Sequence, residues 1–188
     1  MKKLFFAVML ISFSFNSNAQ GQIEAKINPL GAIFGKPDIA AEYIVSDVFG
    51  VEASVGITFG KATGLYAIDG GDAKQSGSGF KILGKYYFSP FEGGDGWYGA
   101  LYLRQETLNI KYTDPTSGGD YKSNIFAGGV EFGKKWTFDS GFLIETAVGF
   151  GRPFSEKREY IDSSSDYNEE IKIGIDLTAR FAIGYRFN

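Results

Sequence analysis

Residues 171–188, at the end of the chain, read IKIGIDLTARFAIGYRFN and alternate in polarity along their whole length. The odd positions hold apolar or aromatic residues and one alanine, whereas the even positions hold glycine, alanine, polar or charged residues. A repeat of two residues is the pattern of a β-strand whose two faces meet different surroundings. The pattern predicts one long strand, and it leaves open whether the apolar face contacts lipid or a protein core.

Seven further segments alternate in the same way, at residues 23–29, 39–45, 51–60, 80–88, 97–106, 126–133 and 142–151. The short connections between them are residues 46–50, 89–96 and 139–141. The longer, polar connections are residues 61–78, 113–120 and 153–170, with 31–37 as a short member of this second set. Short turns at one end and long loops at the other are typical of outer-membrane barrels. The sequence therefore predicts an all-β fold, an eight-stranded antiparallel up-and-down transmembrane β-barrel with both termini on the periplasmic side.

The start of the chain has the pattern of an export signal. Lys2 and Lys3 precede an apolar run over residues 4–15, and small or polar residues follow up to Ala19. This arrangement predicts a secretory signal peptide over residues 1–19 and a barrel domain over residues 20–188. No apolar run reaches the ~20 residues that a spanning helix needs. If the chain is embedded in a membrane, it therefore has to form a β-barrel.

The composition argues against several classes of function. The chain contains no histidine and no cysteine, and its formal net charge is −3. The absence of histidine and cysteine removes Ser-His-Asp and Cys-His nucleophilic sites and the usual zinc sites, and the net charge argues against nucleic acid as a partner. No helix is predicted to carry a phosphate-binding loop. We therefore expect a protein that is not an enzyme and holds no cofactor.

The aromatic residues favour an apolar face that contacts lipid, because they collect near the two ends of the predicted strands. Near the short turns and the C-terminus these residues are Phe49, Phe88, Phe91, Trp97, Trp136, Phe138, Phe142, Tyr185 and Phe187. Near the long loops they are Phe34, Phe59, Phe80, Tyr112, Phe126, Phe150 and Phe154. Two aromatic belts are the pattern that membrane interfaces favour.

The polar faces of the strands carry acids and bases in equal number, as a closed interior requires, because an unpaired buried charge is costly. The predicted interior charge network comprises Glu24, Lys26, Glu42, Glu52, Lys81, Lys85, Arg104, Glu106, Glu131, Glu145, Asp176 and Arg180, with Lys135 and Arg186 as further inward bases. Glycines on the same face leave room for Tyr98 and Tyr102. Glu106, Glu131 and Glu145 could also act as a general acid and base, but ion pairing with Arg104 and Arg180 is the preferred interpretation.

A second architecture fits the same alternation. A soluble periplasmic or secreted barrel of lipocalin-like design would turn every strand over and bind an apolar ligand inside. The two architectures differ in which face of the strands contacts water.

The long connections carry the candidate contact residues. Residues 153–170 contain six acids and two bases, a composition that suits either a solvated loop or a Ca²⁺ site. Tyr160 and Tyr167 in this segment, and Tyr66 in residues 61–78, are candidate contacts for an extracellular partner, since tyrosine is enriched in binding surfaces.

The signal peptide, the eight amphipathic strands and the aromatics at positions 181, 185 and 187 resemble the small outer-membrane barrels of the OmpA/OmpX type. The segment AKINPLGAIFGKPDIAAEYIVSDVFGVEASVGI also looks like the opening hairpins of small barrels common in Bacteroidota-type outer membranes. The resemblance implies a chain embedded in outer-membrane lipid and assembled by the barrel-assembly machinery. It further implies a structural or adhesive role.

Overall fold

The computed structural model describes residues 21–61, 73–113, 120–161, 168–170 and 174–187. Its strands and single helix, in chain order, are β1 (Gln22–Ile27), α1 (Pro29–Ile33), β2 (Asp38–Ser46), β3 (Phe49–Lys61), β4 (Ala73–Tyr87), β5 (Gly96–Tyr112), β6 (Tyr121–Thr137), β7 (Phe142–Tyr160), β8 (Asn168–Glu170) and β9 (Asp176–Phe187). Among these residues there is no helix with the length and hydropathy needed to cross a membrane. The predicted signal peptide at residues 1–19 lies outside the described residues.

The strands form a closed ring. Each long strand pairs in antiparallel fashion with the next one along the chain from β1 to β7, then β7 pairs with β9 and β9 pairs with β1. Strand β8 is a short addition that pairs with residues 157–159 of β7. The prediction of an all-β, eight-stranded, up-and-down antiparallel barrel is therefore confirmed.

The aromatic belts predict an apolar outer face and a polar inner face, and the wall of the barrel has this arrangement. Leu101, Val148 and Leu177 point outward and are 70%, 65% and 76% exposed. Charged side chains such as Lys85 and Glu52 point into the lumen and are fully buried. This orientation is the reverse of a lipocalin-like barrel, which would place the apolar face inside.

Several predicted boundaries are wrong because the long connections contain strand. Strand β4 already begins at Ala73 and β7 continues to Tyr160, within segments that the alternation assigns to loops, and β5 continues past the predicted end at residue 106 to Tyr112. The last strand begins later than predicted. Residues 174 and 175 do not belong to β9, which begins at Asp176, and residues 171–173 and 188 lie outside the described part. The β7–β9 ladder ends just before Pro153, which has no N–H to donate.

Helix α1 is an element that the alternation does not predict. Asn28 accepts a hydrogen bond from the Gly31 amide at 3.0 Å, and Pro29 occupies the first turn. An asparagine cap followed by proline is a common helix start, so the signal is present in the sequence. The helix connects β1 to β2, at the end of the barrel opposite Gln22 and Phe187. We call this end the upper end.

Above the part of the wall whose outer face is apolar, which we call the membrane-type band, the outward side chains of four strands are polar, and on β5 the two faces exchange polarity. On β5, Leu108 and Ile110 point inward and are fully buried, whereas Asn109 and Lys111 point outward. The buried hydrophobic residues of this region are Ala73, Leu108, Ile110, Tyr121, Ile125 and Ala127, and Gln75, Ser123 and Glu156 are buried as well. We call residues 73–78 of β4, 107–112 of β5, 121–125 of β6 and 156–160 of β7 the upper sheet. Its polar exterior is that of a protein surrounded by water.

Candidate functional site

The middle of the lumen holds a cluster of two lysines and three glutamates. The Lys85 Nζ atom donates to Glu42, Glu52 and Glu145 at 2.9, 2.8 and 2.7 Å. The Lys26 Nζ atom donates to Glu52 and Glu145 at 2.9 and 2.6 Å and also to Glu42. All five side chains are inaccessible to solvent. The three carboxylates lie close enough together to hold a metal ion, but the two ammonium groups already bind their oxygens.

A second set of charges closes the lower end of the lumen. Glu24 accepts hydrogen bonds from Lys135 Nζ at 2.7 Å and from Arg186 Nε and NH2 at 2.9 and 2.7 Å. Arg186 also donates to the Gly94 carbonyl oxygen at 3.2 Å, which ties this set to the turn before β5. The lower end of the lumen is therefore filled by paired side chains.

Tyrosines complete the hydrogen bonding of the buried acids. Tyr98 donates to Glu145 at 2.7 Å, and Tyr87 donates to Glu42. A side chain at position 133 would begin 2.6 Å from the Tyr98 ring. Glycine at this inward position therefore makes the room that Tyr98 occupies.

The upper lumen contains a third set of pairs. Arg104 donates to Asp176 from Nε at 2.9 Å and from NH2 at 2.7 Å, and it also pairs with Glu106. Tyr102 donates to the same Asp176 at 2.7 Å. Lys81 pairs with Glu131, a partner that the sequence does not indicate.

Arg180 extends the middle set. Its NH1 group pairs with Glu52 and lies 3.4 Å from Glu145. The structure thus brings the twelve residues of the predicted network into one lumen. Lys135 and Arg186, the further inward bases, pair with Glu24, and Tyr87 and Tyr98 donate to acids of the middle set.

Of the candidate loop contacts, only Tyr160 falls among the described residues. It ends β7, with its ring 5.7 Å from that of Tyr121, which in turn lies 6.5 Å from Tyr112. Arg158 lies over the Tyr121 ring at 5.2 Å, and burial raises the pKa of the Tyr121 phenol. These tyrosines form an aromatic group at the top of the upper sheet. Tyr66 and Tyr167 lie outside the described residues.

The acids of residues 153–170 do not all remain available to a cation. Glu156 is buried and accepts a hydrogen bond from Arg158 Nε at 3.0 Å, so its carboxylate already has a charged partner. Glu159 is exposed on the outer face of the same strand. The described part of this segment thus separates two of the predicted Ca²⁺ ligands onto opposite faces.

Substituting Arg180 by leucine should destabilise the barrel by about 1–3 kcal/mol, because Glu52 loses a buried partner. Lys26 and Lys85 still contact Glu52 and limit the loss. Leu177→Ile, on the lipid-type face of the same strand, should change stability by less than about 0.5 kcal/mol. Urea unfolding in vesicles checks both values. Equal losses for the two variants would contradict the assignment of faces.

The overall fold resembles that of a solved outer-membrane protein. A major outer membrane protein from Thermus thermophilus matches with a TM-score of 0.51 and 15% sequence identity, over 91% of this chain and 100% of that chain. The β domain of the Bordetella autotransporter Brka matches with a TM-score of 0.34 and 12% identity, over 91% of this chain and 100% of that chain. A search of the curated proteins finds no match.

The fold of this chain is thus that of a small outer-membrane barrel. A family model described as a protein of unknown function, DUF3575, matches residues 4–179, which is most of the sequence. The chain belongs to the DUF3575 family.

Proposed function

We propose that the protein is an integral outer-membrane barrel with a closed lumen, which serves the cell envelope by binding a partner at its upper sheet or by a structural role. The observation that carries the proposal is the exchange of faces between the membrane-type band and the upper sheet. An apolar exterior suits lipid, and a polar exterior above it suits water. In this arrangement residues 1–19 direct export, both termini are periplasmic, and the barrel-assembly machinery inserts the chain.

The charge network supports a lumen that does not conduct. Lys26, Lys85, Glu52 and Glu145 are inaccessible to solvent, and their mutual ion pairs join strands on different sides of the lumen. An eight-stranded barrel has an interior just wide enough for its side chains. The lumen is therefore a packed polar core.

A single-channel recording in planar bilayers tests the closed lumen. We expect no steady conductance above that of protein-free bilayers, because ion-paired side chains fill the middle of the barrel. Steady, large openings that depend on the refolded protein would contradict this expectation.

The upper sheet is the surface that we assign to an extracellular partner. Lys74 and Lys111 lie opposite each other on its outer face, and the aromatic group of Tyr112, Tyr121 and Tyr160 lies at its top. Exposed lysines on rigid strands, with the partly buried rings of Tyr112 and Tyr160 beside them, can contact a partner without ordering a loop. The role requires no catalysis and no cofactor.

Photo-crosslinking in native outer membranes tests this surface. A photo-reactive phenylalanine derivative at position 111 should form a discrete adduct, because that position is exposed above the lipid band. The matched control is position 148, where Val148 is 65% exposed on the lipid-type face, and it should give only lipid adducts. If positions 74 and 111 give no adduct beyond that of position 148, the surface-binding role is wrong and the structural role is favoured.

A further inference from the structure

The wall of the barrel is incomplete between β1 and β9. Strand β1 pairs with β9 only through residues 23–27 and 183–187. The upper half of β9, residues 176–182, pairs with β7 on its other side. Among the described residues, no hydrogen bond joins the β1-facing edge of this half to another segment. A gap in the hydrogen-bonded wall therefore opens above Ile27.

Helix α1 occupies this gap. After Pro29 the chain forms the helix, and it then returns beside β3, where Gly35 and Pro37 accept hydrogen bonds from Phe59 and Ile57 at 2.8 and 3.1 Å. Prolines at both ends keep the segment from continuing the β1 ladder, because proline has no N–H to donate. The helix lies against β9 without a hydrogen bond to it among the described residues.

The gap lies within the apolar band of the wall. Ile33 and Phe34 are 78% and 67% exposed, and Leu177 on the facing strand is 76% exposed. In a lipid environment, backbone groups that lack partners are tolerated only where protein covers them or where they line a polar cavity. Helix α1 covers this break by packing against β9.

Two cavities meet at α1. Outside the wall lies an apolar groove of about 930 Å³, lined by residues such as Ile27, Pro29, Ala32 and Phe80. At the upper end of the lumen lies a cavity of about 340 Å³, lined by Leu30 and Phe34 of the α1 segment and by charged side chains. We call these the outer groove and the lumen-mouth cavity. The helix and its flanks line both of them.

The lumen-mouth cavity contains four bases, Lys36, Lys81, Arg104 and Arg180, and three acids, Asp38, Glu106 and Asp176. Each of the four bases forms an ion pair with an acid. The Arg180 side chain is only 8% exposed, yet its Nε and NH2 groups have no partner among the described residues. Thr178, two residues earlier on the same face of β9, also has a buried hydroxyl without a partner among them. Buried guanidinium donors without acceptors point to a ligand that supplies oxygens.

We propose that the protein binds a single-chain amphiphile with an anionic head group, a carboxylate or a phosphate. The acyl chain lies in the outer groove, and the head group reaches past α1 into the lumen-mouth cavity, where Arg180 and Thr178 bind its oxygens. The meeting, at α1, of an apolar groove and a cavity with unpartnered guanidinium donors carries this inference. It rests on the proposed membrane location.

Fluorescence quenching of the full-length mature chain in nonionic detergent tests the site. An Ala32→Trp reporter, in a background with Trp97→Phe and Trp136→Phe, places the only tryptophan at the outer groove, where the bromine at the end of the acyl chain lies. We expect saturable quenching by 11-bromoundecanoate or 11-bromoundecyl phosphate. The probe that binds more tightly identifies the preferred head group, a carboxylate or a phosphate. The matched probes 11-bromoundecanol and 11-bromoundecyl trimethylammonium should bind at least about tenfold more weakly, a factor that one charge-assisted contact supplies.

Three variants separate the site from simple partitioning. Arg180→Gln should weaken binding of the anionic probe by about tenfold. This change also removes the ion pair with Glu52, so a second variant is needed at a residue that does not support the fold. Lys36 lies at the rim and its side chain is 44% exposed. Lys36→Gln should weaken binding of the anionic probe several-fold while the barrel stays fully folded. Lys134→Gln, on the outer face near Trp97 and Trp136, is the matched control and should leave binding unchanged.

Equal, unsaturable quenching by all probes would overturn the proposal, as would saturable binding that neither Arg180→Gln nor Lys36→Gln weakens. The proposed membrane location is tested apart from this, by insertion of the unmodified chain into vesicles. A chain that inserts but binds no probe refutes the amphiphile site alone. A chain that does not insert refutes the proposed function.

Discussion

Replacement of Lys85 by methionine is expected to give the largest loss of stability of any single change in the lumen. Lys85 donates to Glu42, Glu52 and Glu145, and none of these side chains reaches solvent. Its loss leaves three buried carboxylates with too few cations, for which about 3–5 kcal/mol is typical. Urea unfolding in vesicles measures the loss of stability. The difference in gel migration between unheated and heated samples checks whether the variant is folded.

The matched control is Lys134→Met, one of the lysines on the outer face. Lys134 lies 5.2 Å from the Trp97 ring and 5.0 Å from the Trp136 ring, so it contributes cation–π contacts of about 0.5–1 kcal/mol. Adding Glu52→Gln to Lys85→Met should recover part of the loss, because it removes one unpaired charge. If the two lysine variants lose equal stability, the buried cluster does not exist as described.

Substituting Leu101 by arginine is expected to destabilise the barrel in a bilayer by about 2–4 kcal/mol, the cost of a charge on the lipid face of a transmembrane barrel. Leu101 points outward from β5 and is 70% exposed, so no packing inside the protein explains a loss. In a water-soluble barrel the same substitution would be close to neutral. Unfolding in vesicles therefore separates the two architectures.

Asn109→Arg is the control on the same strand and the same face. Asn109 belongs to the upper sheet, and its amide makes only a 3.5 Å contact to the Ser76 carbonyl oxygen. The exchange of faces along β5 predicts a change within about 0.5 kcal/mol. A loss at Asn109 as large as that at Leu101 would mean that lipid reaches the upper sheet.

The exchange of faces is readable in part from the sequence. Along β5, Leu101 and Leu103 share a parity with Asn109 and Lys111, whereas Arg104 and Glu106 share the other with Leu108 and Ile110. The polarity of both faces changes near Gln105. The alternation therefore predicts a strand that ends at Glu106, because the apolar residues lie at odd positions before this point and at even positions after it.

Pairings within the lumen could not be predicted in the same way. Glu131 shares its inward face with many bases, and only the strand register places Lys81 beside it. Lys26 and Glu145 are far apart in sequence, yet their charged atoms lie 2.6 Å apart because the ring closes through β9. Alternation fixes the direction of a side chain, but its neighbours across the lumen depend on register and closure.

The sequence by itself determined the strand class, the number of long strands and the face on which each charge of the predicted network lies, because a period of two residues follows from the geometry of an extended chain. The tertiary structure alone decided which charges pair, where α1 replaces the wall and where the lipid-type band gives way to the upper sheet. These features depend on contacts between strands distant in sequence. Arg180 shows both: its inward direction follows from its parity, whereas its pairing with Glu52 and its place beside the lumen-mouth cavity follow from the closed ring.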